Sequence, residues 1–183
     1  MNFIDYVTLM LVNMVAGLFI LGCFIWRGPD DEGRIHWAPA FAICGLVATI
    51  CGFAMTFTSP IPKPYSMAFG EMSVLLGVLF LGTAWALSKG WRLMPLAIYG
   101  FFAGAAAIAL GLRIIELGLT AKPLLSGIGF ILTGMAGVMA PLAIWQSEQK
   151  ELRFLSAIVL YAAAAIWATT GYMAYWMHII PPK

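Results

Sequence analysis

The chain has 183 residues, of which 62% are hydrophobic and only 10% are charged, and its mean hydropathy is +0.93. Soluble domains carry about 25% charged residues, so this composition excludes a soluble globular protein and indicates an integral membrane protein. The formal net charge of +2 is too small to favour nucleic acid as a partner.

Six apolar stretches are each long enough to cross a bilayer as a helix, which takes about 20 residues. They lie at residues 5–26, 37–57, 67–88, 93–118, 124–145 and 154–178. The first has no basic segment before it and no small-residue cleavage site after it, so we expect a retained helix. Because the loops are short, we predict an all-α integral membrane bundle of six transmembrane helices, a single transmembrane domain over residues 1–183.

The basic residues of the loops predict how the bundle is oriented. The first, third and fifth loops carry Arg27, Arg34, Lys89, Arg92, Lys150 and Arg153, and the opposite side carries Lys63, Lys122 and Lys183. Basic loops stay in the cytoplasm, so we expect both termini on the extracytoplasmic side of a prokaryotic plasma membrane. In the second loop, the segment 59–65 holds three prolines, and we expect it to be extended.

Glycines recur every seven residues, or two helical turns, in the second to fifth predicted helices. The sets are Gly45 and Gly52, Gly70 and Gly77, Gly104 with Gly111 and Gly118, and Gly127 and Gly134. This spacing favours close helix packing along glycine seams, and space for a flat cofactor such as a porphyrin is the alternative. A faint repeat, with proline opening the second and fourth helices, relates helices two and three to helices four and five.

The ionisable residues inside the apolar stretches all fall near the predicted extracytoplasmic ends of the helices. Together with one amide they form a candidate ligand or ion-pair cluster of Asp5, Asn13, Glu71, Arg113, Glu116 and His178. The expected pocket lining is Tyr6, Thr56, Tyr65, Thr120, Tyr172 and Trp176. A charge in hydrocarbon costs about 2.5–3.5 kcal/mol on insertion scales, so such residues usually pair inside a bundle and often mark a site.

Two interpretations of this cluster stay open. Arg113 shares a helix face with Glu116, and an ion pair with Glu116 or Glu71 would satisfy its charge without any ligand. Two carboxylates for one arginine leave one acid in excess, however, which suits a proton or a cation. For a metal ion, Glu71, Glu116 and His178 would supply oxygen and imidazole ligands, and haem or quinone near His178 are the other cofactor classes left open.

Two runs carry a family resemblance: residues 68–71 (AFGE) and 112–125 (LRIIELGLTAKPLL). They resemble a family of small archaeal and bacterial membrane proteins known as domain of unknown function 981. The resemblance covers most of the chain, and it implies a polytopic membrane protein without assigning an activity, a cofactor or a site residue.

The leading functional hypothesis is a binding module or accessory subunit of a larger membrane complex. Its partners would be the lipid bilayer and either another membrane protein or a second copy of the chain. One alternative is a transporter or channel for a proton, a metal ion or a small solute, ranked lower because the cytoplasmic half offers no matching charge. The other is a redox protein with haem, metal or quinone bound near His178, because the paired carboxylates and the aromatic lining would suit a quinone headgroup or haem propionates, with Arg113 as counter-ion. No hydrolase or nucleotide-binding motif is present, which does not exclude redox chemistry.

Overall fold

The computed structural model describes residues 6–28 and 32–178, apart from the side chains of Glu32, Lys63, Met177 and His178. Its helices are α1 (Val7–Arg27), α2 (Ala38–Thr58), α3 (Lys63–Ser88), α4 (Met94–Leu117), α5 (Pro123–Trp145) and α6 (Lys150–His178), with a short 3₁₀-helix (Glu32–Trp37) before α2. All six α-helices contain a segment long and apolar enough to span a membrane. The prediction of an all-α bundle with six transmembrane helices is confirmed.

The second loop is shorter than predicted, because residues 63–65, which we expected to be extended, belong to α3. Helix α3 begins at Lys63, which leaves only residues 59–62 as the link from α2. Pro62 is the N-cap and Pro64 lies in the first turn, where a proline costs no hydrogen bond because the first amides of a helix have no partner in it. Only four residues therefore remain outside the helices in this link.

The short links place successive helices antiparallel and gather the connections at two ends of the bundle. The terminal end holds Tyr6, the links 59–62 and 118–122, and the last turn of α6. The basic end holds Gly28 and residues 32–37, 89–93 and 146–149. At the terminal end, Tyr6 Oη lies 3.1 Å from Thr58 Oγ1. At the basic end, Arg153 Nη1 donates to the carbonyl oxygen of Arg27 at 3.3 Å.

The six helices form a closed ring in chain order. Each helix packs on its neighbours in sequence, and α6 returns to pack on α1. The tightest pairs are α1 with α6, α2 with α3, and α4 with α5, whereas α3 and α4 meet more loosely. Because α3 and α4 do not close tightly on each other, space remains inside the ring.

Glycines bring the two central hairpins into backbone contact. A β-carbon at Gly52 of α2 would lie 2.7 Å from the amide nitrogen of Val74, and one at Gly104 of α4 would lie 2.7 Å from that of Val138. Close backbone approach is how helices gain van der Waals contact in lipid, so the packing seams predicted from the glycine spacing are confirmed. Gly118 was wrongly included, because it has open space around it and ends α4 at a left-handed φ of 63°.

Candidate functional site

A partly open chamber lies between α1, α3, α4 and α5, with Leu160 of α6 also in its wall. It consists of two adjoining cavities of about 110 and 60 Å³. The cavities share five lining residues, Leu76, Leu79, Gly100, Thr133 and Gly137. About 10–15 Å³ of such volume holds one water molecule, so the chamber has room for a small solute.

On the terminal side the chamber is bounded by three packed aromatic rings. Phe130 of α5 lines the smaller cavity, and its ring centroid lies 5.0 Å from that of Trp167 and 5.6 Å from that of Phe69. The ring of Trp167 is fully buried. Gly129 makes room for it, because a β-carbon there would lie 3.0 Å from the indole. We call these three residues the terminal aromatic group.

On the basic side a second set of three rings lies against the larger cavity. Phe24 of α1 and Phe80 of α3 line the cavity, and Phe41 of α2 lies between them with edge-on contacts of 5.5 and 5.3 Å between centroids. All three side chains are buried. Edge-to-face packing fixes such rings in place by about 0.5–1.5 kcal/mol per pair beyond simple burial. We call them the basic-side aromatic group.

The polar side chains in the chamber lining are two threonines. Thr83 of α3 lines the larger cavity, and Thr133 of α5 lines both. Each hydroxyl donates to the carbonyl four residues earlier, Thr83 to Leu79 and Thr133 to Gly129, both at 2.8 Å. Among the described residues that line the chamber, none is ionisable.

Three charged residues of the predicted cluster, Arg113, Glu116 and Glu71, are described, and none of them lines the chamber. Arg113 Nη1 and Glu116 Oε2 form an ion pair at 2.6 Å on one helix, and their side chains are 58% and 67% exposed. Among the described residues, Arg113 forms its ion pair with Glu116 of the same helix. The pair therefore does not connect α4 to α3. Glu71 is exposed on α3.

Asn13 has a structural partner between helices. Its side-chain nitrogen donates to the carbonyl oxygen of Cys44 at 2.9 Å and so connects α1 to α2. Such bonds contribute about 0.6 kcal/mol on average in membrane bundles. Asp5 lies outside the described residues, and so does the side chain of His178.

The six side chains predicted to line an outer pocket occupy different surroundings. Tyr6 contacts Thr58, Thr56 donates to the carbonyl of Gly52, and Thr120 donates to Ser126 Oγ at 3.1 Å. Tyr65 is half-buried, and Tyr172 and Trp176 are exposed on α6, Trp176 by 88%. The structure therefore disperses these residues around the terminal end.

A metal centre finds no support in the described part of the chain. No three His, Cys, Asp or Glu side chains there lie close enough to hold an ion. Glu71 and Glu116, two of the predicted ligands, are both exposed. The third, His178, has no described side chain, so the metal, haem and quinone hypotheses near it remain predictions.

The sequence-based search missed the chamber residues. Thr83 and Thr133 are single hydroxyls in otherwise apolar spans, and Phe80 and Phe130 resemble any lipid-facing aromatic. Gly17 and Gly129 make room for aromatic rings, since a β-carbon at either would press on a ring of another helix, Phe80 or Trp167. That role cannot be recognised before the helices are packed.

The ring of six spanning helices defines a multi-pass membrane protein. The chain belongs to the family described as Protein of unknown function (DUF981), whose family model matches residues 1–180. This confirms the resemblance drawn from the sequence. No curated protein matches the chain.

A solved structure with a similar fold is described as the cryoEM structure of the Helicobacter pylori urea channel in the closed state. It superposes with a TM-score of 0.74 at 14% identity, over 95% of this chain and 100% of that chain. At this identity the likeness shows the fold alone. This chain therefore shares its fold with that protein.

Proposed function

We propose that the protein is a membrane channel for small uncharged solutes. The observation that carries this proposal is the apolar chamber inside the helix ring, which has Phe130 in the wall of its smaller cavity and Phe80 in the wall of its larger one. A chamber walled by several helices suits a path across the membrane better than a binding surface on the exterior. The fold shared with a urea channel supports the same function and suggests urea as the first probe.

The lining argues for an uncharged solute. An ion that enters an apolar chamber loses its hydration shell, which costs many kcal/mol unless fixed charges replace the lost water. The described lining offers leucine, isoleucine, methionine, phenylalanine, alanine, glycine and two threonines instead. A small neutral molecule loses far less on entry, and a few hydrogen-bonding groups are enough to compensate it.

The aromatic groups would act as two gates. Phe130 and Phe80 each present a ring to the chamber, one on the terminal side and one on the basic side. Both rings stand in the wall of the chamber and narrow it. Opening requires that the rings turn or that their helices shift.

The test is osmotic permeability in proteoliposomes. We expect urea to enter vesicles containing the wild-type protein faster than protein-free vesicles, with no accompanying potassium or sodium conductance. Urea should enter vesicles with the Phe80→Ala/Phe130→Ala variant faster still, because both proposed gates are removed. Urea entry at the rate of empty vesicles for both proteins, with correct folding shown by gel filtration, would overturn the channel proposal.

A second candidate, a binding module or accessory subunit of a membrane complex, is favoured by the charges exposed on the terminal half. Arg113, Glu116 and Glu71 project from the outside of the bundle, where a partner could contact them. Native mass spectrometry after gentle extraction tests this. A bound polypeptide lost in the Arg113→Ala/Glu116→Ala variant would support it, and a bare chain in both proteins would count against it.

A further inference from the structure

Thr133 holds its hydroxyl in one fixed hydrogen-bonding arrangement. The hydroxyl proton goes to the carbonyl oxygen of Gly129 at 2.8 Å, and the oxygen accepts the indole N–H of Trp167 at 3.0 Å. A hydroxyl has one proton and two lone pairs. Thr133 therefore has one lone pair left and no proton to give.

The hydroxyl of Thr83, which also lines the larger cavity, is held in a similar way. Its proton goes to the carbonyl oxygen of Leu79 at 2.8 Å, so both lone pairs of its oxygen remain. Redirecting either proton toward a solute would break an existing bond within a helix. Both polar side chains of the described lining thus present acceptors and no free donors to the chamber.

We infer that Thr83 and Thr133 form an acceptor-only binding site for solutes that carry N–H or O–H groups, such as amides and urea. This inference rests on the proposed channel function and specifies its substrate class. A solute with donors replaces bonds to water by bonds to the two oxygens. A solute with acceptors alone finds no donor in this lining and leaves its own acceptors unpaired, which is costly in an apolar environment.

The two threonines would act in sequence along the chamber. Thr133 lies where the two cavities adjoin, and Thr83 lies further toward the basic end, five residues before Ser88, where α3 ends. A donor-bearing solute could be passed from one oxygen to the other while it crosses the apolar region. A single site would instead hold the solute in one place.

The experiment compares two probes of similar size in proteoliposomes: thiourea, which has four N–H donors, and dimethyl sulfoxide, which has an acceptor oxygen and no donor. The measured quantity is the ratio of their protein-dependent permeabilities. We expect wild-type protein to favour thiourea, and Thr83→Val and Thr133→Val each to lower the ratio about fivefold, the effect of losing one hydrogen bond. Valine keeps the shape of threonine, and the serine variants, which keep the hydroxyl, should restore the ratio.

The matched control is Thr56→Val. Thr56 makes the same bond to the carbonyl four residues earlier, Gly52, but packs against Gly70 between α2 and α3 and does not line the chamber. Its variant should leave the ratio unchanged. Because Thr133→Val also removes the partner of the Trp167 N–H, Thr83→Val is the decisive variant if the other folds poorly.

The experiment distinguishes failure of the channel proposal from failure of the acceptor-site proposal. If neither probe enters faster than in empty vesicles, even with Phe80→Ala/Phe130→Ala, the channel proposal itself is overturned. If the probes do enter, but the ratio is the same in wild type, Thr83→Val and Thr133→Val, the channel stands and the acceptor site is overturned.

Discussion

Trp167 Nε1 donates a hydrogen bond of 3.0 Å to Thr133 Oγ1. The bond joins a fully buried indole on α6 to a hydroxyl on α5 that lines the chamber. The same indole packs edge-on against Phe130, with 5.0 Å between ring centroids. One side chain thus connects the polar lining of the chamber to the terminal aromatic group, so a movement of the gate would also shift Thr133.

We expect the Trp167 ring to matter more for stability than its N–H group. Trp167→Phe keeps most of the packing and removes one hydrogen bond, which should lower the free energy of unfolding by about 1 kcal/mol. Trp167→Ala should cost about 3–5 kcal/mol, because it leaves a large cavity. Thermal unfolding in one detergent measures both, and equal losses would contradict this division.

Phe130→Ala should raise urea permeability by removing the ring on the terminal side of the chamber. The control is Phe53→Ala, since Phe53 stacks with Phe57 on the outside of α2, at 5.6 Å between centroids, and is 41% exposed. Stopped-flow light scattering of proteoliposomes measures both rates. A similar increase in the two variants would mean that aromatic truncation loosens the bundle in general.

Gly104→Ala should destabilise the protein by about 1–3 kcal/mol, the usual cost of overpacking. The new β-carbon would lie 2.7 Å from the backbone nitrogen of Val138, which cannot move unless α4 and α5 separate. Gly82→Ala is the matched control, because its β-carbon would meet the flexible end of Leu96 at 2.8 Å. Differential scanning fluorimetry should show a clear drop for the first and little change for the second.

The Arg113–Glu116 pair should contribute less than about 1 kcal/mol, as exposed ion pairs do. The two side chains lie in the last two turns of α4, near the membrane surface, and both are more than half exposed. A double-mutant cycle with Arg113→Ala and Glu116→Ala measures the coupling free energy between the two side chains from the free energies of unfolding in detergent. A coupling of several kcal/mol would mean that lipid or a partner shields the pair from water.

The orientation predicted from basic residues can be tested with reporters. An alkaline phosphatase fused after Lys183 should be active in bacteria, since this enzyme folds only outside the cytoplasm, and a green fluorescent protein at the same place should be dark. Reporters inserted in the link of residues 89–93 should give the reverse. The opposite pattern at both positions would show that the bundle is inserted the other way round.

Much of the fold could be predicted from the sequence because the deciding signals are local. A run of about 20 apolar residues is enough to require a spanning helix, since unpaired backbone groups are too costly in lipid. The glycine spacing likewise predicted the seam between α4 and α5 at Gly104 and Gly111, because it depends on one helix face. The Arg113–Glu116 pair follows from a three-residue spacing in the same way.

The chamber was decided only by the tertiary structure. In lipid the inner and outer faces of a helix are both apolar, so the hydrophobic contrast that identifies the inner face of a soluble helix is missing. Phe130 faces the chamber while Phe102 is 68% exposed, and nothing in their sequence surroundings separates them. The rotation of each helix is set by packing against its neighbours, and that rotation selects which threonines and phenylalanines line the central space.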